Sequence, residues 1–390
     1  MTAPPAATRA LEMTALALVG AAFTNIYVTQ PILPALQAEF ATDTVHVAQT
    51  VSMVLAGIAV ANLPFGYFAD RLALHRILAV GAAAIAAAGL ACALTSHLGL
   101  LLAARFAQGL FIPALTTCLA AYLAKTLPPA RLNVVMGAYV AATVLGGMLG
   151  RLLGGLVEPL VGWRWAFVAA AALVAGGGLL ALRLLPAAPH THAAEHRAVR
   201  YVELLRRREL LGVLACGGCG QAIFSPVFNT LPYRLAEPPL GLGTGQSTLL
   251  YLVYLVGIWI GPASGRLSNR IGNGNTLVLG SLVLIIGLAL LEVASVPWIV
   301  AGLVAVCGGF FAVHAAAVGA LNRKLVAGQG RANALYVMIY YLGASLGVSW
   351  SAWVYQQAGW TTLIVLAMAL ALVPLAIGLG ERRTAAVAVP

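Results

Sequence analysis

The sequence predicts an all-α membrane protein whose twelve transmembrane helices form two pseudo-symmetric six-helix bundles. Three observations carry that expectation. Of the 390 residues, 61% are hydrophobic and only 8% are Asp, Glu, Lys or Arg, about a third of the charged fraction of a soluble domain. The apolar residues gather into runs as long as a helix needs to cross a bilayer, about 20 residues. The 22 basic residues fall almost wholly on one side of those runs. The first observation alone excludes a soluble enzyme, a disordered tail and a nucleic-acid-binding domain, because so apolar a surface would not stay dissolved.

Taken in order, the runs fall at 11–36, 46–69, 76–95, 98–124, 132–157, 163–185, 209–235, 245–267, 276–294, 297–322, 332–356 and 360–380. Met1 to Ala10 carry one Arg and two Pro. No A-x-A-like cleavage site with a polar domain behind it follows, so the first run is read as a retained helix. Connections are short except for 186–208, which holds His190, His192, His196 and several Arg. The expected organisation is therefore an N-terminal bundle over 1–185, a cytoplasmic linker over 186–208 and a C-terminal bundle over 209–390. The linker's His190-Thr-His192-Ala-Ala-Glu195-His196 is read as a solvated spacer, not a metal site.

Orientation follows from the excess of Lys and Arg on the cytoplasmic side. With the N-terminus inside, eighteen of the 22 basic residues are cytoplasmic, Arg164 and Arg234 lie outside, and Arg105 and Arg151 lie within spans. Both termini and the linker are thus expected in the cytoplasm. The net charge of +11 records topology, not an acidic partner. The five cysteines, Cys92, Cys118, Cys216, Cys219 and Cys307, sit in apolar or small-residue runs. That argues against a disulfide framework and for packing roles, the Cys216-Gly-Gly-Cys219 spacing included.

The chain repeats itself. Gly66-Tyr-Phe-Ala-Asp70-Arg71 after span two is echoed by Gly265-Arg-Leu-Ser-Asn269-Arg270 after span eight, 199 positions later. Spans six and twelve open alike, on Gly162-Trp163 and Gly359-Trp360. Two six-helix halves in the same orientation are the pattern of a duplicated transporter.

Three motifs then resemble those of one family, the major facilitator superfamily. Gly66, Asp70 and Arg71 match its loop motif, with Ala73 and Leu74 in place of a later Gly and the first basic residue. Arg105-Phe-Ala-Gln108-Gly109 matches its Arg-x-x-Gln-Gly motif in span four. Gly137, Gly146, Gly150, Gly154 and Gly155 match the span-five antiporter motif of its drug/proton exporters, with Arg151 where the motif has Pro. The Gly150-Arg151 variant, Trp163-Arg164-Trp165-Ala-Phe167 and Glu237-Pro-Pro are similar to bacterial arabinose efflux permease-like exporters.

The resemblance implies roles. Asp70 is either a solvated helix-end charge or a conformational latch between the halves, holding cationic groups or a helix N-terminus. Asn269 in the second copy can hydrogen-bond but not titrate, so such a latch is asymmetric. The glycines of span five, with Gly147, let helix backbones approach closely, either as general packing or to seal one side of a cavity. By the same resemblance, spans one, four, seven and ten line that cavity, with parts of five, eight and eleven. Its polar and aromatic candidates are Asn25, Tyr27, Gln30, Gln108, Tyr139, Gln221, Asn229, Tyr251, Tyr254, Tyr336 and Tyr340.

Charge inside the spans is scarce. Arg105 and Arg151 are either functional, as buried charges usually are, or satisfied by backbone carbonyls or Gln in a structural role. No Asp or Glu lies near the middle of a span, which disfavours cationic solutes and favours a neutral polar or anionic one, with Arg105 as its anchor. His314 in span ten is either a proton carrier, with an ordinary pKa of about 6.5, or a neutral histidine bonded to a neighbouring helix. No Walker loop, HExxH or GxSxG accompanies these residues, so no enzyme, cofactor or ATP-driven pump is expected. The expectation is alternating-access export of a small polar, amphiphilic or anionic solute across a bacterial inner membrane. Protons are the coupling ion, the bilayer is the surroundings and the chain is a monomer. The rivals are uptake of a similar solute, a lipid flippase and a membrane-embedded enzyme.

Overall fold

The computed structural model describes residues 6–186, 201–325 and 328–387. Among the described residues the chain is helical almost throughout. In order the helices are α1 (Ala6–Tyr27), α2 (Leu33–Glu39), α3 (Thr44–Arg71), α4 (Leu74–Leu94), α5 (Leu98–Leu115), α6 (Thr117–Thr126), α7 (Pro129–Val161), α8 (Trp163–Leu184), α9 (Tyr201–Arg206), α10 (Arg208–Ala236), α11 (Thr244–Leu249), α12 (Leu255–Ile271), α13 (Asn273–Leu290), α14 (Val296–Arg323) and α15 (Gln329–Val387). Several expected spans are built from more than one helix. α1 and α2 with the 3-10 turn Gln30–Ile32 make the first, α5 and α6 the fourth, and α11 and α12 with the 3-10 turn Leu250–Tyr254 the eighth. α15 holds two spans, parted at Gly359 (φ 75°, ψ −175°). The result is an all-α membrane protein with twelve membrane-length segments among the described residues.

The recurring Gly-Trp pairs have a conformational cause. Gly162 has φ 88° and Gly359 φ 75°, a region a side chain makes costly. Each lets one span end and the next begin within a single residue. Trp360 then donates its indole N–H to the carbonyl of Leu291 at 3.2 Å. Outward faces carry large apolar side chains: Leu94 is 85% exposed, Leu160 81% and Trp259 79%. Such faces suit acyl chains, since a helix satisfies its backbone hydrogen bonds within itself.

The chain forms two compact units. One comprises 1–42 and 53–194, the other 43–52 and 195–390. The first residues of α3 group with the second unit. Polar side chains account for that. Ser52 bonds to the carbonyl of Ser345 at 2.9 Å and meets the hydroxyls of Ser345 and Ser349, each at 2.9 Å. Within 186–208, the short helix α9 occupies Tyr201–Arg206, packing Leu204 into an apolar cluster with Leu210, Val213, Leu321 and Leu335. The histidines at 190, 192 and 196 lie outside the described residues.

α3 begins with a cap not anticipated from the sequence. The Asp43 carboxylate accepts the backbone N–H of His46 at 2.8 Å and lies 2.7 Å from its ring nitrogen Nδ1. The backbone hydrogen bond is the main cause holding the Asp43 carboxyl below its ordinary range. A depressed native pKa means stability that is present above the ordinary value of about 3.9 and lost as pH falls through the native one. Replacing Asp43 by Ala is expected to cost about 1 kcal/mol at neutral pH and to flatten stability against pH below about 4. Thermal melting of the purified protein at several pH values checks both.

Candidate functional site

The break in the first span organises the site in the first unit. Gln30-Pro31-Ile-Leu-Pro34 cannot continue α1, because each proline removes a backbone donor and its ring clashes with the preceding turn. The helix stops at Tyr27, turns, and resumes at Leu33. Its last turn therefore presents carbonyls in the interior, where the negative end of the helix dipole favours a cation.

Arg105 of α5 answers that need. Its Nη1 donates to the Asn25 carbonyl at 2.7 Å and to Gln108 Oε1 at 2.5 Å, and its Nη2 donates to the Ile26 carbonyl at 2.5 Å. The side chain is fully buried. Gln108 passes the network on, donating to Asn25 Oδ1 at 3.0 Å. Asn25 in turn donates to the carbonyls of Ala21 and Ala170, both at 2.9 Å. Arg105, Gln108 and Asn25 thus tie α5 and α8 to the end of α1. This is the carbonyl-satisfied arrangement of the two readings open from sequence.

Arg151 of α7 reaches the other side of the break. Its Nε donates to Gln30 Oε1 at 2.7 Å and its Nη1 to the Gly147 carbonyl at 2.8 Å. The guanidinium lies over the Tyr27 ring, 3.9 Å from its centre, in cation–π contact. So Asn25, Tyr27, Gln30, Arg105, Gln108 and Arg151 meet at one bend of the chain.

The motif glycines bring α7 there. A Cβ at Gly146 would stand 2.2 Å from the Gly20 carbonyl oxygen, at Gly150 2.3 Å from that of Thr24, and at Gly154 2.1 Å from that of Val28. The three follow one stripe of α7 against α1 and the turn after it. The Thr24 hydroxyl lies 3.1 Å from the Gly146 carbonyl, a contact only such close backbones allow. Gly155 is buried. Gly137 differs, with nothing within 4 Å of a Cβ. It belongs to the motif in sequence but not to this contact.

The second unit holds a different constellation. α10, the turn Leu250–Tyr254, α14 and α15 contribute a continuous aromatic cluster. Phe224 stacks on Phe310 (centroids 4.0 Å apart, 17° between planes). Phe228 packs on Tyr254 at 4.6 Å, and Tyr251 donates its hydroxyl to the Phe228 carbonyl at 3.0 Å. His314 lies 3.0 Å through Nδ1 from the Tyr336 hydroxyl, with Tyr340 5.2 Å from its ring, so the hydrogen bond joins α14 to α15. Gln221 and Asn229 are each 1% exposed, and Gln221 Oε1 and both side-chain polar atoms of Asn229 find no partner among the described residues. Tyr139 donates to the Thr116 carbonyl at 2.9 Å, away from either constellation.

The loop motifs stand apart. Arg71 lies 3.7 Å over the Tyr67 ring, and Asn269 and Arg270 are exposed. A Cβ at Gly66 or Gly265 would meet nothing within 4 Å. The side chain of Asp70 lies outside the described ones, so its latch role stays an expectation from resemblance. Sequence reasoning missed Thr29, the phenylalanines of the aromatic cluster and the partly buried pair in which Arg131 grips Glu12 through two bonds of 2.6 and 2.7 Å. The i, i+4 spacing of Phe224 and Phe228 was the available signal for the cluster.

Comparison with known proteins agrees with this architecture. The family model for the Major Facilitator Superfamily matches residues 15–291 and 239–387. The chain is 28% identical over 361 residues to the inner membrane transport protein YnfM of Escherichia coli, covering 90% of this chain and 86% of that one. It is 25% identical over 339 residues to the uncharacterized MFS-type transporter YybF of Bacillus subtilis, covering 84% of each. Among solved structures, a bacterial homologue of the lysosomal transporter Spinster, inward-facing and occupied, superposes with a TM-score of 0.81 at 13% identity over 98% of both chains. The nucleoside transporter NupG gives 0.78 at 13% identity, over 96% of this chain and 99% of that one. At such identities these structures speak to the fold alone.

Proposed function

The chain belongs to the Major Facilitator Superfamily and is a multi-pass membrane transporter rather than an enzyme, and we propose that it is a proton-coupled exporter of a small polar, amphiphilic or anionic solute. The observation that supports export is the stripe of Gly146, Gly150 and Gly154, pressed onto the backbone of α1 and the turn after it at the positions of the antiporter motif. Two six-helix halves that alternate access need rigid surfaces within each half, and helix backbones locked this closely supply one. The solute class is supported by Arg151 at the bend of the first span and by the lack of mid-span carboxylates. In this reading the protein sits in a bacterial inner membrane with both termini in the cytoplasm. His314, bonded to Tyr336, carries the coupling proton, and the Asp70 loop is the latch.

The direction is tested in everted membrane vesicles from cells expressing the protein. Solute added outside should enter these vesicles when respiration acidifies their lumen, and protons should leave with its entry. Accumulation in whole cells instead, driven by the same gradient, means uptake and overturns the export reading. The His314→Asn variant should lose the pH dependence of flux while keeping its fold. Unchanged flux and pH dependence in that variant remove His314 from the proton path.

A further inference from the structure

We propose that Thr29, Gln30 and Arg151 form a subsite for a carboxylate of the transported solute, at the bend of the first span. The inference deepens the transporter reading and rests on it. Thr29 and Gln30 are both fully buried, and Thr29 Oγ1 and Gln30 Nε2 find no partner among the described residues. A buried polar group left unsatisfied is costly, so two at adjacent residues call for a function. Gln30 is not misplaced, since its other amide atom is held firmly by Arg151 Nε at 2.7 Å. That bond fixes the amide orientation, because Nε can only donate and so requires the oxygen to face it. The amide N–H group beside that bonded oxygen is left over for a ligand.

The chemistry of the set selects the ligand. It combines a guanidinium, an amide N–H group and a hydroxyl. All three donate, and the guanidinium adds positive charge. A carboxylate only accepts, through four lone-pair sites, and charge-assisted bonds to it are the stronger kind. An ammonium ligand could not use the guanidinium or the amide N–H group. The setting strengthens the preference, because attraction to a cation grows where water is excluded. The bend itself contributes, since between Tyr27 and Leu33 the α-helix gives way to a short turn and the 3-10 turn Gln30–Ile32. Irregular backbone at membrane depth is tolerated where it is buried in protein or lines a solute path.

The test is thermal melting of the purified full-length protein against sodium acetate, octanoate and benzoate, each paired with its neutral amide. At least one carboxylate should raise the melting temperature of the wild type by about 2 °C or more, and its amide should not. Gln30→Glu places a carboxylate against Arg151 without disturbing packing. It should melt no lower than the wild type yet lose the ligand-dependent rise, with affinity at least tenfold weaker. Thr29→Val should weaken binding while leaving the unliganded melting temperature close to that of the wild type. Equal rises from acid and amide, an undiminished rise in Gln30→Glu, or no rise from any carboxylate each overturn the subsite. Carboxylate binding with no flux in reconstituted vesicles would instead overturn the transport reading and leave the subsite standing.

Discussion

Gly150→Leu is expected to abolish transport and to lower the melting temperature sharply, while Gly137→Leu changes neither. Even the first carbon of a side chain at 150 would lie 2.3 Å from the Thr24 carbonyl oxygen and 3.0 Å from its carbonyl carbon and Cα. Those are backbone atoms, so no rotamer change relieves the overlap, and α7 must move off α1. Overpacking of this kind costs typically about 1–3 kcal/mol and occasionally more. Here the displacement also separates the Thr24 hydroxyl from the Gly146 carbonyl, 3.1 Å apart in the intact contact. Arg151, one residue on, would lose its register on Gln30 and Tyr27. Gly137 lies on the same helix with nothing within 4 Å of an added Cβ, which makes it the matched control. Melting of the purified variants, read beside flux, checks the pair.

Arg105→Leu carries the second large effect. The arginine bonds to the carbonyls of Asn25 and Ile26 and to Gln108 Oε1, and all lie in a dry interior. Leucine fills part of the volume and orphans all three acceptors, at about 1–3 kcal/mol each. Arg105→Lys is not conservative here, because one ammonium cannot reproduce a planar fork set on two carbonyls. Melting and flux should fall together in both variants. Flux that falls while melting is unchanged would mean that Arg105 binds solute directly. Transport and melting both equal to the wild type would contradict its role altogether.

Much of the architecture was legible because membrane folding writes its constraints in composition. The twelve runs and the Gly-Trp pairs at 162–163 and 359–360 correspond to real helices and turns among the described residues. The buried arginines were visible as charges in apolar runs. Their partners were not, since backbone carbonyls leave no mark in the sequence. The break in span one was written in Pro31 and Pro34, but hydropathy runs straight through it. The grouping of 43–52 with the second unit depends on Ser52 finding Ser345 and Ser349, almost three hundred residues away. No local pattern announces such a meeting. Gly137 shows the opposite failure, where a motif position carries none of the packing that the motif suggests.

Reconstitution into liposomes with an imposed pH gradient and a lumenal pH dye tests proton-coupled transport most directly. Adding a solute that stabilises the purified protein should drive proton movement in wild-type vesicles, at a rate that scales with protein content. Gly150→Leu vesicles should show none. Solute binding with no proton movement and no solute flux under any gradient, in vesicles shown to be sealed, would contradict the account.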